Sequence, residues 1–538
     1  MRNIKKYFVY SFVFLMAGSC TDLDEKLKGD ITKDINIPGI STGGETGGSD
    51  VLGAVFSKLR SAGTANHGSY YSIQEITSDE MVICAKGGDW YDGGILVDLH
   101  QHTYKPTHDM INNTWNNTYS AITTCNELLA STTAGLDENQ KSQVKALRAY
   151  FYMRLLDLYG NVKIVTAPGA DAPQSDRKTV FNFVESELLA SLGISGVSQG
   201  MDLSASPLGT AVNSYRINTY GALGLLSKLY LNAEVYAGVK MYDKAAIAAS
   251  YVIDQGPYKL CGSGCKVTNL GKRPAVASDP SELEGYAAVF APNNQNNPEH
   301  IFVVYYDEAA GPDMNFGQMS LHYSSQFTWN FQSQPWNGYA TLEEFYNSYE
   351  DGDARKKNNF IVGPQLDFGG NAILDYASDD GNLQLNYNPK INQLAPNSQR
   401  EAGARPGKFS YKQFGRDNMD NDYPIVRLGE LYLVRAEALA RQSGNWDAAL
   451  PDVNLIRKRA NVADLGPGLT PESFLAERGR EMFQESARRT DLIRFGKYNG
   501  TWWEKPASPS YVNIFPIPQA QITATASSPN KLSQNPGY

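Results

Sequence analysis

Two long helical runs set the terms for any fold of this chain. Residues 109–130 (DMINNTWNNTYSAITTCNELLA) carry Ile111, Trp115, Tyr119, Ile122 and Leu129 near the 3.6-residue helical period. Residues 137–158 repeat the pattern with Val144, Leu147, Ala149, Tyr150, Phe151, Leu155 and Leu158, and Gly160-Asn161 supplies a left-handed stop. The break between the runs is short, so they are expected to form an antiparallel pair.

A second pair is expected over 179–192 and 218–236, the latter rich in Ala and Gly, which lets elements approach closely. Residues 240–254 form one more helix, stopped by Pro257, and Asp50 is a candidate cap for a helix over 51–62. Helical pairs of this length, with Ala, Tyr and Leu at their seams, resemble degenerate tetratricopeptide-like units. Tyr150, Phe151 and Tyr230 are read as seam core. Helices return at 428–441, 446–460 and 471–488. Glu477, Arg480, Glu481 and Glu485 are spaced to pair along the last one. Arg478, Arg488, Arg489, Asp491 and Arg494 read as a structural ion-pair network, with a catalytic cluster as the weaker alternative.

Two stretches break this pattern. Gly87-Gly88-Asp89-Trp90-Tyr91-Asp92-Gly93-Gly94 holds too much glycine for a helix or strand. It reads as a loop holding Trp90 and Tyr91 outward between the carboxylates of Asp89 and Asp92, a pattern suited to sugar: ring faces for CH groups, acids for hydroxyls. The alternative is a Trp that folds back onto the core. Asp79 and Glu80 are candidate polar contacts at the loop's base, or a solvated turn. From 261 to 424 the helical period disappears, apart from a buried strand at 300–306 and a short helix at 342–349. Residues 320–339 gather Tyr323, Phe327, Trp329, Phe331, Trp336 and Tyr339 without regular spacing, which points to a binding area. Asp351-Gly352-Asp353 lacks the spacing of a calcium loop and reads as a helix-end turn.

The 538 residues carry a net charge of −9. Nucleic acid is disfavoured as a partner, since no excess of Lys or Arg is available for phosphates. Arg2, Lys5 and Lys6 precede a short apolar run at 8–16, and Ala17, Gly18 and Ser19 lead into Cys20. This looks like a bacterial lipoprotein lipobox, with Ala17 where Leu is usual; the alternative is an ordinary secretory signal. Cys261 and Cys265 could close a small disulfide loop or remain thiols; a metal site is less favoured, with no His nearby in sequence. No nucleophile–base pair, phosphate loop or metal cluster is nominated, and no cofactor is expected.

Several segments together resemble the SusD/RagB family of Bacteroidetes outer-membrane lipoproteins. They are 423–441 (YPIVRLGELYLVRAEALAR), 450–460 (LPDVNLIRKRA), 477–497 (ERGREMFQESARRTDLIRFGK), 515–518 (FPIP), 534–538 (QNPGY) and 352–355 (GDAR). The lipobox, the 87–94 loop, 99–104 (LHQHTY) and 115–129 agree with it in the N-terminal half. The resemblance implies an all-α, tetratricopeptide-like scaffold with a large irregular loop-rich face. It divides the chain into a signal peptide (1–19), an N-terminal helical part with the aromatic loop (20–260), a loop-rich ligand-facing insertion (261–424) and a C-terminal helical part (425–538). It implies lipidation at Cys20, with the acidic Asp22, Asp24 and Glu25 resembling a surface-export signal. It also implies an outer-membrane location, a polysaccharide or oligosaccharide ligand, and a SusC-like TonB-dependent transporter as partner. The favoured ligand contacts are Trp90, Tyr91, Asp89, Asp92, Asp79, Trp329, Trp336 and Tyr323. Peptide import by a relative of the same family, or a glycoside hydrolase, are the alternatives; the latter needs two carboxylates at fixed separation, which no motif nominates.

Overall fold

The computed structural model describes residues 51–538 apart from 377, 380 and 382. The expectations for the signal peptide, Cys20, the acidic segment after it and the Asp50 cap lie outside the described residues. Among the described residues, nine helices carry the scaffold: α1 (Asp109–Ala130), α2 (Glu138–Leu158), α3 (Arg177–Leu192), α4 (Thr219–Leu231), α5 (Tyr242–Gln255), α6 (Leu428–Ser443), α7 (Leu450–Arg459), α8 (Pro471–Met482) and α9 (Arg488–Arg494). From α1 to α6 each helix packs on the next, and α6 also meets α7 and α8. This is the all-α, tetratricopeptide-like succession that the family resemblance implies. The chain leaves it between α5 and α6 to build the loop-rich part.

Local chemistry explains the helix starts. The Asp137 carboxylate accepts the Gln140 amide at 2.7 Å while the Gln140 side chain accepts the Asp137 amide at 3.0 Å, a capping box that opens α2. α2 is buried on almost every side, as befits a helix clasped by neighbours on two faces. Tyr150, Phe151 and Tyr230 are buried in these seams, as expected. The run over 218–236 is broken at Asn232, whose side-chain amide takes the Lys228 carbonyl at 2.9 Å.

Short antiparallel ribbons tie the loops to the helices. Strand β1 (Met81–Ile83) pairs with β3 (Tyr339–Thr341), and β2 (His300–Val304) pairs with β4 (Tyr423–Arg427). Gly224 of α4 lies directly over β4: a Cβ there would sit 2.4 Å from Val426 Cγ1, so the close approach needs glycine. The loop at 261–265 is closed by a Cys261–Cys265 disulfide.

The single helix expected over 471–488 is corrected. α8 ends at Met482, Phe483 is extended, and Gln484 and Ser486 take positive φ before α9 begins. The carbonyls that would continue the helix are diverted. Lys408 Nζ donates to Glu481 O at 3.1 Å and Phe483 O at 2.7 Å, and Arg427 Nη2 donates to Glu481 O at 3.1 Å. The freed Gln484 and Ser486 amides donate to the buried carboxylates of Glu80 (3.0 Å) and Glu75 (2.7 Å).

Around this break lies a buried ion network. Arg427 meets Glu299, Glu481 and Glu485; Arg355 meets Asp353, Glu477 and Glu481; Arg494 meets Glu437 and Asp491. The structural reading of the charged C-terminal cluster therefore holds. Burial alone would raise the Glu477 pKa, but the guanidiniums of Arg355, Arg480 and Arg457 outweigh it and hold the carboxyl at about 2, below its ordinary 4.5. A carboxyl depressed in the folded state stabilises fully above its unfolded pKa, and that contribution is lost as pH falls toward the folded value. Buried His100 and His300, each lowered by desolvation to about 4, add the same sign from about pH 6.5 downward. Asp422, raised by desolvation to about 7, acts in the opposite sense between about pH 4 and 7. The urea midpoint is therefore expected to drop steeply between about pH 4.5 and 2; a midpoint that stays level to pH 3 contradicts this account of the network.

Candidate functional site

β1 delivers the glycine-rich loop, and a second segment grips it. The Ala85 and Gly87 amides donate to the Leu394 and Pro396 carbonyls at 2.9 Å each, and the Ser398 amide returns a bond to Ala85 O at 2.8 Å. The Lys86 amide then donates to Asp89 O at 2.8 Å, closing a tight turn just before the aromatic pair.

The expectation that Trp90 and Tyr91 both project outward is corrected for Trp90, which is 8% exposed. Its Nε1–H donates to the Trp336 carbonyl at 2.6 Å, and its ring meets His67 edge-on at 5.1 Å. It fills the space in front of Gly338, where a Cβ would lie 2.5 Å from Trp90 Cζ2. Trp90 has φ of +58°, a left-handed conformation that costs a bulky residue about 1–2 kcal/mol. Burying the indole, at about 25 cal/mol per Å² of apolar surface, offsets that cost. Turned this way, the chain leaves the next side chain, Tyr91, 49% exposed.

Trp90 thus ties together two exposed rings. Tyr91 is its neighbour in the chain, and Trp336, 39% exposed, provides the carbonyl it holds. Tyr323, in the turn Tyr323–Ser325, donates its hydroxyl to the Asp89 carboxylate. Burial, followed by that bond and the carboxylate's charge, raises the Tyr323 pKa, so the phenol stays protonated. Behind Trp90, His67 Nδ1 shares a hydrogen bond of 2.9 Å with the Tyr339 hydroxyl. Desolvation lowers the His67 pKa to about 4 against the opposing charge of Asp92, so the ring is neutral at physiological pH. Asp89, Trp90, Tyr91, Tyr323 and Trp336 are therefore linked through Trp90 and the Tyr323–Asp89 bond, with Asp92 close enough for its charge to act on His67, and together they define the candidate face.

Three expected residues lie elsewhere. Asp79 sits at the far end of β1, with its carboxylate oxygens on Arg488 Nε (2.6 Å) and Nη2 (2.7 Å). That ion pair, and the length of the strand, remove it from the loop. Trp329 stacks on Phe331 at 5.8 Å and meets Tyr411 edge-on at 5.1 Å, in a separate cleft. Glu80 is buried and serves the helix break already described. The sequence reading missed His67 and Gly338, which support Trp90 from far along the chain and carry no local signal.

Trp90→Ala is expected to cost about 3–5 kcal/mol in urea unfolding, as deletion of a large buried ring does. Tyr91→Ala should shift stability by no more than about 0.5 kcal/mol. Equal effects of the two would show that Trp90 does not pin this face.

Comparisons with known proteins agree with this architecture. Residues 290–538 match the family described as the SusD family, and residues 59–231 match one described as starch-binding, associating with the outer membrane. The chain belongs to the SusD/RagB family. It is 27% identical over 439 residues to the starch-binding protein SusD of Bacteroides thetaiotaomicron, spanning 74% of this chain and 73% of that protein. Its fold is similar to that of a laminarin-binding SusD-like protein, with 22% identity, 91% and 98% of the two chains covered and a TM-score of 0.66. It is also similar to surface glycan-binding protein A of Bacteroides thetaiotaomicron in complex with laminarihexaose, at 19% identity, 90% and 98% coverage and a TM-score of 0.65. The 87–94 loop falls within one matched region and the 323–336 segment within the other, so the candidate face forms where the two meet. Among the described residues, no helix is long and apolar enough to cross a membrane.

Proposed function

We propose that this chain is a cell-surface glycan-binding lipoprotein that captures a polysaccharide or oligosaccharide and delivers it to a SusC-like TonB-dependent transporter. The observation that carries the reading is the exposed Tyr91–Trp336 pair beside the Tyr323–Asp89 contact. Ring faces take the weakly apolar CH faces of a sugar, and the phenol and carboxylates take its hydroxyls. Tyr91 and Trp336 are the stacking rings, Asp89, Asp92 and Tyr323 the polar contacts, and Trp90 the buried pin that holds both halves in place. The face is open, so affinity at one site is modest; a lipid on Cys20 and contact with the transporter raise the effective concentration. Cys20 tethers the chain to the outer membrane with this face toward the surroundings. The family's description as starch-binding and outer-membrane-associated supports the ligand class and the location.

The purified chain, screened against starch, laminarin, xylan, galactomannan and mucin glycans by affinity electrophoresis, should be retarded by at least one of them. It should release no reducing ends from that glycan, as a binder and not a hydrolase. Retention of peptides and of no glycan would contradict the reading. Pull-down from solubilised outer membranes should recover a TonB-dependent transporter; repeated failure to do so would overturn the delivery step.

A further inference from the structure

A cleft of about 970 Å³ opens in the loop-rich part, and no residue of the Tyr91–Trp336 face lines it. Its volume is in the range of small-molecule and oligosaccharide sites, far above that of a packing void. Trp329 and Tyr411 form part of its wall, with ring planes at 74° and Phe331 backing Trp329. Tyr346 contributes another ring, with the Lys356 ammonium 4.6 Å from its centroid. A hairpin supplies a further wall, its strands Lys266–Thr268 and Glu282–Glu284 joined by residues 269–281. The disulfide clamps the base of that hairpin: Cys265 is bonded to Cys261, and its carbonyl accepts the Gly285 amide at 2.9 Å.

Most charges on these walls are already paired. Arg273 grips Asp279 through Nε and Nη2 at 2.8 Å each, and Lys266 takes Glu282 and Glu284 at 3.3 and 3.8 Å. Lys357 stands exposed at the edge. A neutral group is left over: the Thr328 hydroxyl, on a residue 3% exposed, has no partner among the described residues. Aromatic faces beside an unpaired hydroxyl, between charges that satisfy each other, suit an uncharged polyhydroxyl ligand. A charged ligand would have to compete with pairs already made.

We propose that this cleft is a second saccharide site, which holds another segment of the glycan independently of the Tyr91–Trp336 face. It rests on the reading of the chain as a glycan binder. Trp336 lies seven positions after Trp329, which places their Cα atoms within about 25 Å of each other. A long glycan that reaches both sites gains avidity that a short oligosaccharide lacks.

The test is calorimetric titration of the full chain with maltohexaose, laminarihexaose, xylohexaose and mannohexaose. The expected result is two sites per chain for at least one of them. Trp336→Ala should leave one site. Trp329→Phe, which keeps a ring against Phe331 and Tyr411 but removes the N–H, should weaken the other about tenfold, the loss of one good hydrogen bond. The double variant Cys261→Ser/Cys265→Ser, which opens the clamp at the hairpin base, should weaken the same site. A single site lost in Trp336→Ala and untouched by Trp329→Phe and the cysteine variant overturns the cleft and leaves the first reading standing. A single site with the reverse pattern supports the cleft and overturns the Tyr91–Trp336 face. A cleft that takes tryptic peptides and no hexaose overturns the proposal, and a chain that binds none of the four overturns both readings.

Discussion

Arg427→Met is expected to lower unfolding free energy by about 3–5 kcal/mol, or to prevent recovery of folded chain, because it leaves buried charges without their partner. Arg427 is 1% exposed at its side chain and contacts Glu299 Oε1 at 2.9 Å, Glu481 Oε1 at 2.8 Å and Glu485 Oε2 at 2.6 Å. Without it those carboxylates face one another in a low-dielectric interior. Their remaining partners, Arg459 on Glu299 and Glu481, Arg355 on Glu481 and Lys408 on Glu485, cannot neutralise them fully. Met fills much of the Arg volume, so the loss measures charge and hydrogen bonding more than a cavity. Lys141→Met, at the exposed pair with Glu138, should leave the urea midpoint unchanged. Similar midpoints for the two variants would show that the network is dispensable.

The second large effect is on binding. Tyr91→Ala combined with Trp336→Ala should weaken affinity for the retained glycan by about 2 kcal/mol or more, roughly 30-fold, as loss of paired aromatic anchors does. Both rings are already exposed, so the melting temperature should stay close to that of the parent chain. An affinity within about twofold of the parent would remove these rings from the site. Trp90→Ala should also weaken binding, but with a fall in stability, because it releases the carbonyl of Trp336 and the turn before Tyr91 together.

The contrast between these residues shows where sequence was sufficient. α1 begins and ends at the residues its periodicity marks, because the stripe of Ile111, Trp115 and Ile122 is a local property of one helix. The capping box of α2 is equally local. The break after Met482 is not, since it depends on Lys408, Arg427, Glu75 and Glu80, which reach the 481–486 backbone from far along the chain. Without them the 471–488 pattern favours one continuous helix. The glycine-rich loop was legible as a loop, and Tyr91 as an exposed ring on it. Which ring faces out was not, because the acceptor for Trp90 lies 246 residues away. Likewise the crowding of aromatics over 320–339 marks a special region without separating Trp336, on the face, from Trp329, in the cleft. Asp79 misled through proximity in sequence: a short strand carries it away from the loop and onto Arg488.

The central claim is that glycan is held on the Tyr91–Trp336 face. It is tested most directly by a crystal structure of the chain with an oligosaccharide of the glycan it retains. The account predicts sugar rings stacked on Tyr91 and Trp336, with hydroxyls on Asp89 or Tyr323 and Trp90 still bonded to the Trp336 carbonyl. Sugar density elsewhere, with both rings bare, would contradict it.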